Sequence, residues 1–168
     1  MWRDGILLCC LLALLSGCKQ EYLKPGEIAP RLAAYDVHDV PVQLERWKGK
    51  VIYLTFWSAS CGGCLNEMVT LNTLSKIYAD AITVVAVNTD PPQTDIASVL
   101  SQWQIEYPVL RDQLGITQER YQVTGTPTAF LIDVNGRVAE LHQGARNEPT
   151  LRALFQQWAT TAAAIRSP

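Results

Sequence analysis

The chain has 168 residues, enough for one domain with a hydrophobic core of its own. Its 48% hydrophobic and 18% charged content is that of an ordinary globular protein. A formal net charge of -2 without any basic stripe argues against a nucleic-acid partner, and His38 and His142 are too few for a His-rich metal site.

The first residues read as a leader rather than as part of the fold. Arg3 and the free amine give a weakly positive start, "ILLCCLLALL" (residues 6–15) is an uninterrupted apolar run, and "LSGC" closes at Cys18. The run is too short to span a bilayer, whose core needs about 20 helical residues, and it fits the apolar core of a secretory signal peptide. Small residues followed by cysteine resemble the lipobox of bacterial lipoproteins. That resemblance implies a signal peptide over residues 1–17, cleavage before Cys18, and an acylated Cys18 as the lipid-membrane anchor. An ordinary signal peptide cut nearby is the alternative. Lys19 stands where an Asp retains lipoproteins at the inner membrane in some bacteria, so either membrane is open.

Five cysteines are an odd count for an exported protein. Cys9 and Cys10 leave with the leader and Cys18 takes the lipid, so Cys61 and Cys64 are the thiols left. The compartment outside the inner membrane permits disulfides. A partner must therefore hold the pair in one redox state.

Residues 18–29 are polar, with Pro25 and Gly26, and read as the lipidated N-terminus and a tether. Residues 30–160 read as one domain and 161–168 as a tail. "LAAYDVHDVPVQL" (residues 32–44) alternates around turn residues and suits a short hairpin. "KGKVIYLTFW" (residues 48–57) is β-branched and aromatic, apolar enough for a strand buried on both faces. Leu65, Met68, Leu71, Leu74 and Tyr78 then recur at helical spacing, and "AITVVAVNT" (residues 81–89) is a second buried strand. The β-α-β unit implies a right-handed parallel crossover. A second amphipathic helix is expected over residues 95–106 and a short one over 117–122. "TAFLIDVNGRVAELHQG" (residues 128–144) reads as two strands joined at Asn135 and Gly136. Leu151, Leu154, Phe155 and Trp158 give the last helix its apolar stripe. The pattern predicts an α/β fold, a sheet with helices on both faces.

"FWSASCGGC" (residues 56–64) places Cys61 and Cys64 where a strand passes into a helix. Unpaired amides and the positive end of the helix dipole stabilise an anion there, so Cys61 is expected to have a lowered thiol pKa. Cys64, one turn further in, is placed to attack a mixed disulfide formed at Cys61. The spacing alone also suits half a zinc site or an inert disulfide, but structural zinc needs four ligands and the chain offers no second pair. In "GTPTAFLID" (residues 125–133) Pro127 precedes a buried strand, which fits either a plain turn or a cis proline.

Together "KGKVIYLTFWSASCGGCLNEM", "VVAVNTD", "YPVLRD" and "YQVTGTPTAFLIDVNGRV" resemble the TlpA/ResA-like branch of the thioredoxin superfamily, from about residue 25 to 158. The resemblance implies a thioredoxin-like fold, a central mixed β-sheet flanked by helices, with an N-terminal β-hairpin extension. It implies an exported, membrane-tethered thiol-disulfide oxidoreductase. Cys61 matches the exposed nucleophile, Cys64 the resolving thiol, and Pro127 a cis proline that leaves the backbone of Thr126 free to pair with substrate. Trp57 matches an aromatic expected at the substrate site. Glu67 matches an acidic residue three positions after the second cysteine, near Cys64 on the helix surface. It is either a proton carrier for the thiols or a solvated first-turn carboxylate.

The family further implies protein disulfide or dithiol substrates, with apocytochrome c among the candidates, and an integral membrane thiol-transfer protein as electron donor. No cofactor beyond the Cys61–Cys64 disulfide and no metal are expected, and the chain is expected to be a monomer on the periplasmic side of the envelope. Three positions depart from the family: Ser60 replaces a tryptophan, Gly62-Gly63 lacks a proline before the second cysteine, and Thr55 replaces Asn or a buried Asp. Two other readings stay open. A copper carrier of the same fold would need a wider cysteine spacing and a histidine, whereas His142 and His38 read as ordinary surface residues. A peroxidase would need Ser58 and a proline where Leu54 stands.

Overall fold

In the computed structural model, which describes residues 23–166, the apolar run after Lys50 forms a central strand, β3 (Val51–Trp57), buried along all 7 residues. Around it stand β1 (Ala34–Tyr35), β2 (Pro41–Val42), β4 (Ile82–Asn88), β5 (Val109–Arg111), β6 (Thr128–Ile132) and β7 (Val138–Gln143). They make one mixed sheet in the order β2-β1-β5-β4-β3-β6-β7. β3 is parallel to β4 and antiparallel to β6, with Thr55 opposite Ala86 on one side and Ala129 on the other. The fold is thioredoxin-like. The expected N-terminal hairpin is β1 with β2, joined to the sheet where Tyr35 pairs with Arg111.

Alternation along β3 splits the core in two. Val51, Tyr53 and Trp57 face α1 (Gly62–Ile77), α2 (Ile96–Gln102) and α4 (Glu148–Arg166), packing with Met68, Leu71, Leu74, Ile96, Leu151 and Phe155. Burial of Met68, Leu71 and Leu74 stabilises α1 against the sheet by roughly 1.5–3 kcal/mol per side chain. Ile52, Leu54 and Phe56 face the other way, against α3 (Ile116–Arg120), a 3-10 turn at Leu44–Trp47 and the entry segment. There Phe56, Phe130 and Tyr121 stack at ring-centroid distances of 5.0–5.9 Å, and the Tyr121 hydroxyl donates to Pro30 O at 2.8 Å.

Several boundaries differ from expectation for local reasons. α2 begins on its Asp95 cap, which accepts from Ser98 N–H at 3.1 Å. It stops at Gln102 rather than 106 because Gln104 takes a left-handed φ of 51°. α3 ends at Arg120, two residues before Gln122 with its φ of 54°. α4 runs on to Arg166 and buries Ala162, so the domain continues past residue 160. The expected tether also enters the fold early. Gly26 N–H donates to Val138 O at 2.7 Å, and Ala29 N–H to Gly136 O at 2.9 Å, laying residues 26–29 along the edge of β7. No helix among the described residues is long and apolar enough to cross a membrane.

Candidate active site

The end of β3 delivers the chain into α1 through Ser58, Ala59 and Ser60. Cys61 is the N-cap of α1, with an extended φ of -92°. Its sulfur accepts the Cys64 N–H at 3.1 Å and its carbonyl accepts the Leu65 N–H at 3.1 Å. The sulfur thus occupies the place of a capping side-chain oxygen, where backbone amides and the helix dipole favour negative charge. Cys61 and Cys64 are joined as a disulfide, with Cα atoms 5.2 Å apart. Cys61 is half-buried, whereas Cys64 is 1% exposed. An incoming sulfur therefore has access to one partner of the pair.

Thr126-Pro127 is a cis peptide, and the Thr126 carbonyl oxygen lies 3.6 Å from Cys61 Sγ. Pro127 is buried, and its carbonyl accepts the Gly144 N–H at 2.8 Å. The Thr128 hydroxyl donates back to Gly125 O at 2.7 Å. Among the described residues nothing hydrogen-bonds to the Thr126 amide. The structure thus brings together Cys61, Cys64, Thr126 and Pro127, drawn from both ends of the domain.

Glu67 is not the solvated first-turn residue that one reading allowed. It is 4% exposed. One carboxylate oxygen accepts the Tyr53 O–H at 2.9 Å and the other the Arg146 backbone N–H at 2.8 Å. The Arg146 guanidinium donates to the Tyr53 hydroxyl at 3.3 Å and pairs with Glu140. Burial pushes the Glu67 carboxyl above its ordinary range, against the bonds from Arg146 and Tyr53 that lower it. Burial, and then the Glu67 charge, push the Tyr53 phenol up in turn.

Trp57 requires a correction. It is 0% exposed, packed beneath α1 with Cys64, because the alternation of β3 points it into the core with Tyr53. It supports the dithiol from below and has no surface to offer a substrate. Cys18 lies outside the described residues.

Sequence reasoning missed a second carboxylate. Asp90, just after β4, accepts from Ser58 Oγ at 2.6 Å, Ala59 N–H at 2.7 Å and Asn88 Nδ2 at 2.7 Å. Burial would raise its carboxyl, but these three bonds prevail and lower it. Asp90 thus fixes the loop that carries Cys61, whose N–H donates to Ser58 O at 3.1 Å. The exposed Ser60 joins the same network, with its hydroxyl 3.0 Å from that of Ser58. Ser58 is therefore engaged with Asp90 rather than with the nucleophile, as a peroxidase would require. Thr55 is buried, as the position of the missing acid would be.

Gly62 and Gly63 are both exposed, in the first turn of α1. A Cβ at Gly62 would meet nothing, and one at Gly63 would touch Ala145 Cβ at 3.4 Å. His142 is half-buried on β7, its imidazole lowered by burial and then by Arg146. No group of three or more His, Cys, Asp or Glu among the described residues is placed to hold a metal ion.

This geometry agrees with the proteins that the chain resembles. The Redoxin family model matches residues 24–156. The chain is 29% identical over 140 residues to the thiol-disulfide oxidoreductase ResA of Bacillus thuringiensis subsp. konkukian, covering 83% of this chain and 81% of ResA. It is 29% identical over 153 residues to the thioredoxin-like protein YneN of Bacillus subtilis, covering 85% of this chain and 89% of YneN. A crystal structure from Chlorobium tepidum, assigned as the thiol:disulfide interchange protein DsbE, superposes with a TM-score of 0.74 at 37% identity. That match covers 83% of this chain and 98% of the other. The chain belongs to the redoxin family, as a TlpA/ResA-like thiol-disulfide oxidoreductase of the thioredoxin superfamily.

Proposed function

We propose that this oxidoreductase is an exported, membrane-anchored reductant of protein disulfides. The observation that carries the reading is the unequal pair: a half-exposed Cys61 at a helix N-terminus beside Thr126-Pro127, and a buried Cys64 beneath it. In the reduced enzyme Cys61 attacks a client disulfide as the thiolate. Cys64 then attacks Cys61 of the mixed disulfide, the client leaves reduced, and the enzyme is left oxidised. Thr126 offers its free amide to an extended client segment, and Pro127 shapes that surface.

Glu67 supports the direction of transfer. A buried carboxylate one turn from Cys64 disfavours a thiolate there and can take the Cys64 proton as it attacks. Dithiols whose thiolates are stabilised are oxidants, because their reduced form is favoured. A Cys64 thiol held protonated works the other way.

The leader and lipobox-like "LSGC" support export to the periplasmic side and acylation at Cys18. An integral membrane thiol-transfer protein would then recharge the disulfide, and the cysteines of apocytochrome c before haem attachment are candidate clients. The test is capture. A Cys64→Ser enzyme should hold clients as mixed disulfides through Cys61 that dithiothreitol releases. If no thiol-dependent adduct forms, and the wild-type domain reduces no test disulfide, the reading fails.

A further inference from the structure

We propose that Arg146 is a positioning residue for the proton step at Cys64, acting through Glu67. The proposal rests on the reading of Glu67 as proton acceptor given above. Its basis is the loop over residues 144–147, which touches three parts of the site at once. Gly144 N–H holds the Pro127 carbonyl, Ala145 lies against Gly63 of the dithiol turn, and Arg146 N–H holds Glu67. The Arg146 side chain is 7% exposed, and its guanidinium donates to the Tyr53 hydroxyl that in turn donates to Glu67.

A buried carboxylate needs a compensating charge or donors to ionise. The groups around Glu67 supply few. Tyr53 faces it from β3, Tyr107 from the segment before β5, and Cys64 from its own helix. Glu140 and His142 on β7 face Arg146. Arg146 is the one permanent cation among these.

The step at issue balances as follows. Cys64 loses its S–H proton to the Glu67 carboxylate as its sulfur bonds to Cys61. The bond between Cys61 and the client sulfur breaks, and the client leaves as a thiolate that takes a proton from water. Glu67 later returns its proton to solvent. Without the guanidinium, burial acts on Glu67 with less opposition, and the carboxylate forms only at a higher pH.

The test uses the aromatic disulfide dithionitrobenzoate with the reduced enzyme in stopped flow. The first release of thionitrobenzoate reports attack by Cys61, and the second reports resolution by Cys64. Arg146→Met should move the rise of the second phase about one unit to higher pH, which is about a tenfold slowing on the acid side of that rise. Arg146→Lys should restore most of the rate. In Glu67→Gln that rise should be absent, and adding Arg146→Met should change nothing more.

An unmoved profile in folded Arg146→Met overturns the proposal, as does an equal shift in the Glu67→Gln background. If Glu67→Gln alone leaves the profile intact, the reading of Glu67 has failed and Arg146 fails with it. Should Arg146→Met not fold, Tyr53→Phe removes the hydroxyl linking the guanidinium to Glu67. It should move the profile the same way, and no movement there counts against the proposal.

Discussion

Replacing Glu67 by alanine and, separately, by glutamine distinguishes its hydrogen bonds from its charge. Alanine removes the acceptor for two buried donors, Tyr53 O–H and Arg146 N–H. Each unsatisfied donor costs about 1–3 kcal/mol, so the loss should reach about 2–6 kcal/mol. Glutamine fits better, because its oxygen can accept from Arg146 N–H while its amide donates to the Tyr53 oxygen. Only the phenol proton is then stranded, at a cost of about 1 kcal/mol.

The charge appears in the pH dependence. Glu67 is raised above its ordinary 4.5, so between that value and the folded one the native state binds more protons than the unfolded chain. The favourable contribution of wild type relative to glutamine is full below 4.5 and is lost as pH rises through the folded pKa. Urea unfolding of the oxidised proteins from acid to neutral pH measures both effects. Alanine no worse than glutamine, or a wild-type advantage that grows with pH, would refute the reasoning.

Asp90→Ala frees Ser58, Ala59 and Asn88 together and should cost about 1–3 kcal/mol. Since its carboxyl is lowered from 3.8, the wild-type contribution is present above that value and disappears as pH falls through the folded pKa. Equal acid unfolding profiles for the two proteins would contradict this. Gly62→Ala places a methyl in open space within a helix turn and should add about 0.4–1 kcal/mol in denaturant unfolding; a loss would mean that the turn needs glycine. Cys18→Ser should move the protein from the membrane fraction to the soluble fraction of the envelope, and an unchanged distribution argues against acylation there.

What was legible in the chain was what local chemistry determines. The seven residues of β3, all apolar but Thr55, read as a doubly buried strand, and Cys61-x-x-Cys64 read as a dithiol at a helix start. Asn135-Gly136 marked the β6–β7 hairpin. The misses arise from distance. For Glu67 the choice between proton carrier and solvated carboxylate stays open in the sequence, because the Tyr53 and Arg146 that bury it are 14 and 79 residues away. Asp90 meets Ser58 from 32 residues away. The resemblance assigns Trp57 to the substrate site, although its own strand, apolar enough to be buried on both faces, holds it in the core. Residues 26–29 are polar enough for a tether, but their backbone bonds to β7 draw them into the sheet edge.

The equilibrium of the Cys61–Cys64 couple against defined glutathione buffers tests the central claim most directly. A reductant with a protonated Cys64 should show a potential near that of thioredoxin, about -270 mV, or lower. A value near that of strongly oxidising dithiol proteins, about -120 mV, would reverse the direction of transfer assigned here.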